Sequence, residues 1–209
     1  MVSRLRCFIG RILFCFFTSS FALHATENDD LVKAMMEVYA EELAANPQDY
    51  RTYYSRAMAY FGQGDMKKAL SDIDNAIKYF PRKEKDDLAQ AYLLRAKILS
   101  ERGETKSALT DLNSALRLVP NHRLALKDRG DLLCQLGQYD MAKIDYNHLL
   151  RMDTRSQSAF MGLARVEAHT GQPVRAKDLL AQAVNLSPKD PKIYLERSEI
   201  YKEMDMMPE

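Results

Sequence analysis

The chain has little net charge: 30 basic and 29 acidic side chains among 209 residues leave +1 at neutral pH. That argues against a general nucleic-acid or anionic-membrane binder, which needs a basic stripe. Cysteine is scarce, with only Cys7, Cys15 and Cys134. If the first 25 residues are removed, Cys134 stands alone and no internal disulfide can form. A lone cysteine at a helical position reads as a small packed residue rather than a nucleophile. Long hydrophobic runs are also lacking. The run from Ile12 to Leu23 has about 12 residues, short of the ~20 that a membrane-spanning helix needs.

Motifs that carry chemistry are missing as well. His24, His122, His148 and His169 are scattered, and none has a two-ligand spacing with cysteine or a carboxylate. The glycines stand singly rather than in a loop that could cradle phosphate, and no serine sits in a nucleophile-elbow pattern. The expectation is therefore no catalytic residue, no metal and no cofactor.

Residues 1–25 read as a secretory signal peptide. Arg4, Arg6 and Arg11 stand without an acidic residue, the apolar run follows, and Ala22 and Ala25 offer small-residue cleavage sites. An uncleaved anchor is the alternative. Cys15 follows Ile12-Leu13-Phe14, without the small residues expected before a lipidated cysteine. Cleavage removes three arginines and takes the charge from +1 to −2. The destination expected for such a chain is beyond the inner membrane, in the periplasm, with no stable membrane span once the leader is gone.

What the chain does have is a repeat. Residues 50–83 read as two short helices and a turn: Tyr53, Ala57 and Tyr60, then Gly64, then Ala69, Ile73, Ala76 and Pro81. After 39 residues the pattern returns over 89–122 as Tyr92, Ala96, Leu99, Gly103, Ala108, Leu112, Ala115 and Pro120. After 34 more it spans 123–156 as Leu126, Gly130, Leu133, Gly137, Ala142, Tyr146, Leu149 and Thr154. A fourth copy over 157–190 gives Phe160, Ala164, Glu167, Gly171, Ala176, Leu180, Ala183 and Pro188. A half copy, Tyr194, Ser198 and Tyr201, fits a capping helix over 191–206. Residues 28–47 form a leading half-repeat: Asn28, Asp29 and Asp30 offer caps, and Pro47 lies one period before Pro81.

Each repeated position has a physical reason. The small residues let two helices approach closely, the glycine suits the left-handed backbone that ends a helix, and proline stops the second helix. The 39-residue spacing implies a five-residue insertion within Arg82–Asp87. It reads as an extra solvated turn with an early cap, or alternatively as a charged protrusion that meets a partner.

The repeats also align the chain with itself. Arg56, Arg95 and Arg129 are equivalent, and so are Asp72, Asp111 and Asp145, 16 residues later in each case. In the fourth copy both change together, to Leu163 and Leu179. The pattern predicts an ion pair inside each of the first three hairpins and an apolar contact in the fourth.

The 34-residue period with these residues in register resembles the tetratricopeptide repeat family over about residues 50–205. The resemblance implies an all-α, right-handed α-solenoid whose first helices line a concave groove for extended peptides or partner helices. By repeat register the groove positions are Arg51, Tyr54, Met58 and Phe61, then Gln90, Leu93, Lys97 and Ser100. They continue with Leu124, Lys127, Asp131 and Cys134, then Ser158, Met161, Arg165 and Ala168. The family's carboxylate clamp pairs lysines with asparagines. Lys97, Lys127 and Arg165 lack the asparagines. Tyr54, Met58 and Phe61 are the expected anchors, unless they pack against the leading helix. The expected function is an exported, non-catalytic adaptor that binds a peptide or partner protein in this groove. The alternative is an assembly chaperone or structural subunit of an envelope complex, working through its convex face or ends.

Overall fold

The computed structural model describes residues 25–204. Apart from Ala25, the expected leader lies outside the described residues, as do residues 205–209. The chain divides into two compact units, residues 1–47 and 48–209. In the first unit the described residues form one helix, α1 (Ala25–Ala45).

The second unit is a row of helical hairpins. They are α2 (Tyr50–Gly62) with α3 (Met66–Tyr79), and α4 (Lys85–Glu101) with α5 (Thr105–Leu118). Next come α6 (Arg123–Gln135) with α7 (Tyr139–Met152), and α8 (Gln157–His169) with α9 (Pro173–Leu186). A single helix, α10 (Pro191–Glu203), closes the row. Each helix packs on the next, and the first helices also touch across repeats: α2 on α4, α6 on α8, α8 on α10. This second layer of contact makes the unit an α-solenoid rather than a string of hairpins.

Helix ends follow the repeated residues. At the first turn the Gly64 N–H donates to the Phe61 carbonyl at 3.0 Å and the Asp65 N–H to Tyr60 at 2.9 Å. This is the two-bond closure of a Schellman turn, and it needs a left-handed residue, here Gly64 with φ 77°. The same bonds recur at Gly103, Gly137 and Gly171. At the third hairpin, where Thr154 replaces proline, an aspartate defines the stop. Asp153 accepts the Arg155 N–H at 3.0 Å and pairs with Arg123 at 2.6 Å.

The insertion enters α4. That helix has 17 residues against 13 in α2, α6 and α8, so the extra residues extend its start by a turn. Asp86 and Asp87 lie in that first turn, where carboxylates suit the helix dipole. Glu84, just before it, accepts from the Tyr50 hydroxyl at 2.6 Å and ties the segment to α2.

The core runs along the row without a break. One cluster joins α2, α3 and α4, a second joins α4 to α8, and a third joins α8, α9 and α10. Leu70, Tyr92 and Leu118 pack against both of the first two, and Leu179 against the last two. No hairpin buries its apolar face alone, so stability is shared between neighbours.

Three arginines fasten the hairpins. Arg56 donates through Nε and Nη2 to both oxygens of Asp72 at 2.6 and 2.8 Å. Arg95 does so to Asp111 at 2.7 and 2.7 Å, and Arg129 to Asp145 at 2.8 and 2.6 Å. Two of them also reach back one repeat through Nη1: Arg95 to Asp74 and Arg129 to Asn113, each at 2.8 Å. The carboxylates are buried, and the hydrogen bonds to them raise the pKa of Arg56 and Arg95 above the ordinary guanidinium value. In the fourth hairpin Leu163 is buried and Leu179 half-buried, and both belong to the cluster spanning α4 to α8.

Candidate groove of the first helices

The residues assigned to the groove by register divide into two sets. Leu93, Cys134 and Met161 are buried core residues, which corrects the assignment of Leu93 and Cys134 as groove surface and leaves Met161 only an edge on the third cleft below. Each is covered by a neighbour along the row: Leu93 and Cys134 in the central cluster, Met161 under α10 beside Ile193 and Ile200. Burial raises the pKa of the Cys134 thiol, which disfavours the nucleophilic thiolate. Arg51, Met58, Lys97, Gln90 and Leu124 are exposed, while Tyr54, Phe61, Ser100, Lys127, Asp131, Ser158, Arg165 and Ala168 are half-buried.

Most of the surface set lines three clefts, although Met58, Leu124 and Ala168 line none of them. One of about 310 Å³ lies between Tyr54, Arg51, Asp87 and Gln90 of α2 and α4, with Phe80 at its side. A second of about 310 Å³ has Phe61, Ala96, Leu112 and Leu132 beneath Lys97, Glu101, Asp128 and Asp131. The third, of about 520 Å³, runs from Lys127 and Asp131 past Met161 and Arg165 to Glu196 and Glu199 of α10. Asp131 borders both the second and the third, so these two adjoin.

The electrostatics differ from what the residue types suggest. The groove cations have partners in the chain. Lys127 Nζ donates to Asp131 Oδ2 at 2.6 Å, Arg165 lies 3.4 Å from Glu203, Lys97 lies 3.8 Å from Asp128, and Arg51 lies 3.7 Å from Glu84. Burial raises the Asp128 carboxyl above its ordinary value, partly offset by Lys97 and Lys127. Asp131 also accepts from the hydroxyl of Tyr146 at 2.7 Å.

That last bond ties α7 to α6. Tyr146 is a fully buried residue of α7, where the other copies carry Ile73, Leu112 and Leu180. Its ring fits because two glycines face it. A Cβ on Gly130 would lie 2.8 Å from the ring and one on Gly162 only 2.2 Å. The repeat pattern marks Gly130 as a small position but gives no sign of Gly162.

Two further residues lie on the last helix, beyond the four full copies. One more 34-residue step places Leu195 and Glu199 at groove positions equivalent to Met161 and Arg165. Leu195 is 66% exposed, Leu124 50% and Met58 47%, so exposed apolar side chains recur on α10, α6 and α2. Among the described residues no group of three or more histidine, cysteine or carboxylate side chains is arranged to hold a metal ion. Among the same residues, no helix is long and apolar enough to cross a membrane.

The tetratricopeptide repeat family model matches the chain over residues 37–89, 54–123, 93–146 and 127–191. Among solved structures, a tetratricopeptide repeat protein from Parabacteroides merdae ATCC 43184 shares 27% identity with a TM-score of 0.73, over 86% of this chain and 69% of that one. YrrB, a TPR protein with an unusual peptide-binding site, is 20% identical with a TM-score of 0.67, over 85% and 87% of the two chains. MamA from Desulfovibrio magneticus RS-1 is 18% identical with a TM-score of 0.62, over 75% and 85%. No curated protein matches the chain significantly by sequence. The fold is the right-handed α-solenoid of these structures, and the chain belongs to the tetratricopeptide repeat family.

Proposed function

We propose that the protein is an exported, non-catalytic adaptor that holds an extended segment of a partner protein against its first helices. The observation that carries this reading is the pair of clefts that meet at Asp131 and run from Phe61 to Glu199, with exposed Leu124 and Leu195 on the same first helices as their lining residues. Exposed apolar groups beside a concave polar wall are what peptide-binding surfaces offer. YrrB, similar in fold, is itself a TPR protein with a peptide-binding site. Export rests on the basic, then apolar, N-terminal sequence.

A photocrosslinking residue placed at Met58 or Leu195, and separately at Ile144, tests the site in the cells that make the protein. Capture of the same partner from Met58 and Leu195, with none from Ile144, is the expected result. The second reading, a structural subunit gripped by its outer helices, draws on Met141 and Ile144 of α7, 56% and 63% exposed. Capture from Ile144 alone would favour it. Retention of the leader-bearing chain in the cytoplasm after fractionation would remove the export part of the proposal.

A further inference from the structure

The groove carries three basic side chains that invite an acidic ligand: Lys97, Lys127 and Arg165. The structure shows each of them facing a carboxylate of its own chain, Asp128, Asp131 and Glu203. An incoming carboxylate would have to displace a partner already in place. The groove's acids are in a different position. Glu101, Glu196 and Glu199 line these adjoining clefts without an ion pair among the described residues, although Glu196 acts on Lys127 at longer range and Arg155 in the third cleft is a cation likewise without one. Glu196 and Glu199 are exposed on α10, one turn apart, with the apolar Leu195 beside them. After internal pairing, the charge left for a ligand in this groove is mainly negative.

We propose that the groove takes an extended segment carrying lysine or arginine, with Glu196 and Glu199 as its countercharges and Leu195 and Leu124 as its apolar contacts. This rests on the groove reading above and adds the chemistry of the occupant. Charge complementarity sets the partner choice, while the apolar contacts hold any segment of suitable shape. Exposed pairs contribute little singly, so discrimination comes from two countercharges acting on one segment.

The test uses the full-length chain and three labelled peptides of about ten residues, long enough in extended form to follow the groove. They alternate alanine and leucine with lysine, glutamine or glutamate. Fluorescence anisotropy at low salt is expected to show the lysine peptide binding roughly fivefold to tenfold more tightly than the glutamine peptide. The glutamate peptide should bind weakest. Glu196→Gln/Glu199→Gln should bring the lysine peptide to the affinity of the glutamine peptide. Asp140→Asn/Asp178→Asn, on the outer helices, should leave it unchanged. Because all four acids are exposed, these variants keep the fold, which circular dichroism checks.

Preference for the glutamate peptide, or a lysine peptide indifferent to Glu196→Gln/Glu199→Gln, overturns the charge assignment. The groove reading is judged separately by Leu195→Ser, which should weaken all three peptides alike. If Leu195→Ser changes none of them, or if no peptide binds at all, both readings fall.

Discussion

The third and fourth hairpins share a backbone plan but are held together differently. In the third, Arg129 grips the buried Asp145 with two bonds and reaches Asn113 of the repeat before it. In the fourth those positions are Leu163 and Leu179, which pack in the core. The charge has moved instead of vanishing. Glu167 occupies the place of Tyr60, Leu99 and Leu133, is buried, and meets Lys143 of α7 at 2.7 Å and Arg175 of α9 at 3.6 Å. The first arrangement closes its hairpin with a bidentate pair and reaches Asn113 of the one before, whereas in the second one buried carboxylate meets Arg175 of its own hairpin and Lys143 of the one before. One pair of positions thus holds either arginine with aspartate or two leucines, both partners changing together.

The largest break in that comparison is Arg129→Leu. It leaves Asp145 charged, 2% exposed and without its bidentate partner. The expected loss is about 3 kcal/mol, read as a lower urea midpoint. Arg129→Leu/Asp145→Leu copies the fourth hairpin and should recover most of it. If the double variant is as unstable as the single one, the two solutions are not equivalent.

Gly162→Ala comes next, at the seam between the two hairpins. Its Cβ would strike the Tyr146 ring, at a cost of about 1–3 kcal/mol. In a Tyr146→Leu background, which restores the side chain of Leu112 and Leu180, the same change should cost nothing. Helix propensity then favours alanine over glycine by roughly 0.5–1 kcal/mol. Equal losses in both backgrounds would show that the ring is not the obstacle.

Glu167→Leu should be milder, within about 1 kcal/mol of the parent. Lys143 and Arg175 are exposed enough to be hydrated when released, and leucine already fills this position in the second and third repeats. A loss as large as that of Arg129→Leu would mean that the bridge between hairpins is essential.

The smallest effect is expected at Asp128, whose carboxyl is raised by burial. Raising the folded-state value favours the protonated form, so this group helps stability below the ordinary carboxylate range. That help is lost as pH rises through the range from the unfolded value to the folded one. Asp128→Asn should therefore be more stable than the parent at pH 7, by no more than about 1 kcal/mol, and equal to it near pH 3. Urea melts at the two pH values give the sign directly.

Much of this was legible in sequence for one reason: a repeat carries its own alignment. Arg56, Arg95 and Arg129 are read as partners of Asp72, Asp111 and Asp145 because three copies keep both and the fourth drops both. The loop glycine and the close-packing alanines are legible on the same ground. Gly162 was not, because it answers a single substitution, Tyr146, in the hairpin before it. The insertion's fate was half legible: Arg82–Asp87 reads as a solvated turn with an early cap, and α4 does start early, at Lys85. The groove was half legible. Of the residues that register assigns to it, Met58 and Lys97 are exposed and Arg165 half-buried, whereas neighbouring helices cover Leu93, Cys134 and Met161.

The sequence alone determined the period, the helix stops and the internal ion pairs, since each depends on contacts within one repeat or on a backbone need that one residue type meets. Only the tertiary structure decided which cations are already paired, which glycine admits a ring, and which first-helix side chains face solvent. Those depend on contacts between one repeat and the next, where no local pattern records the distance.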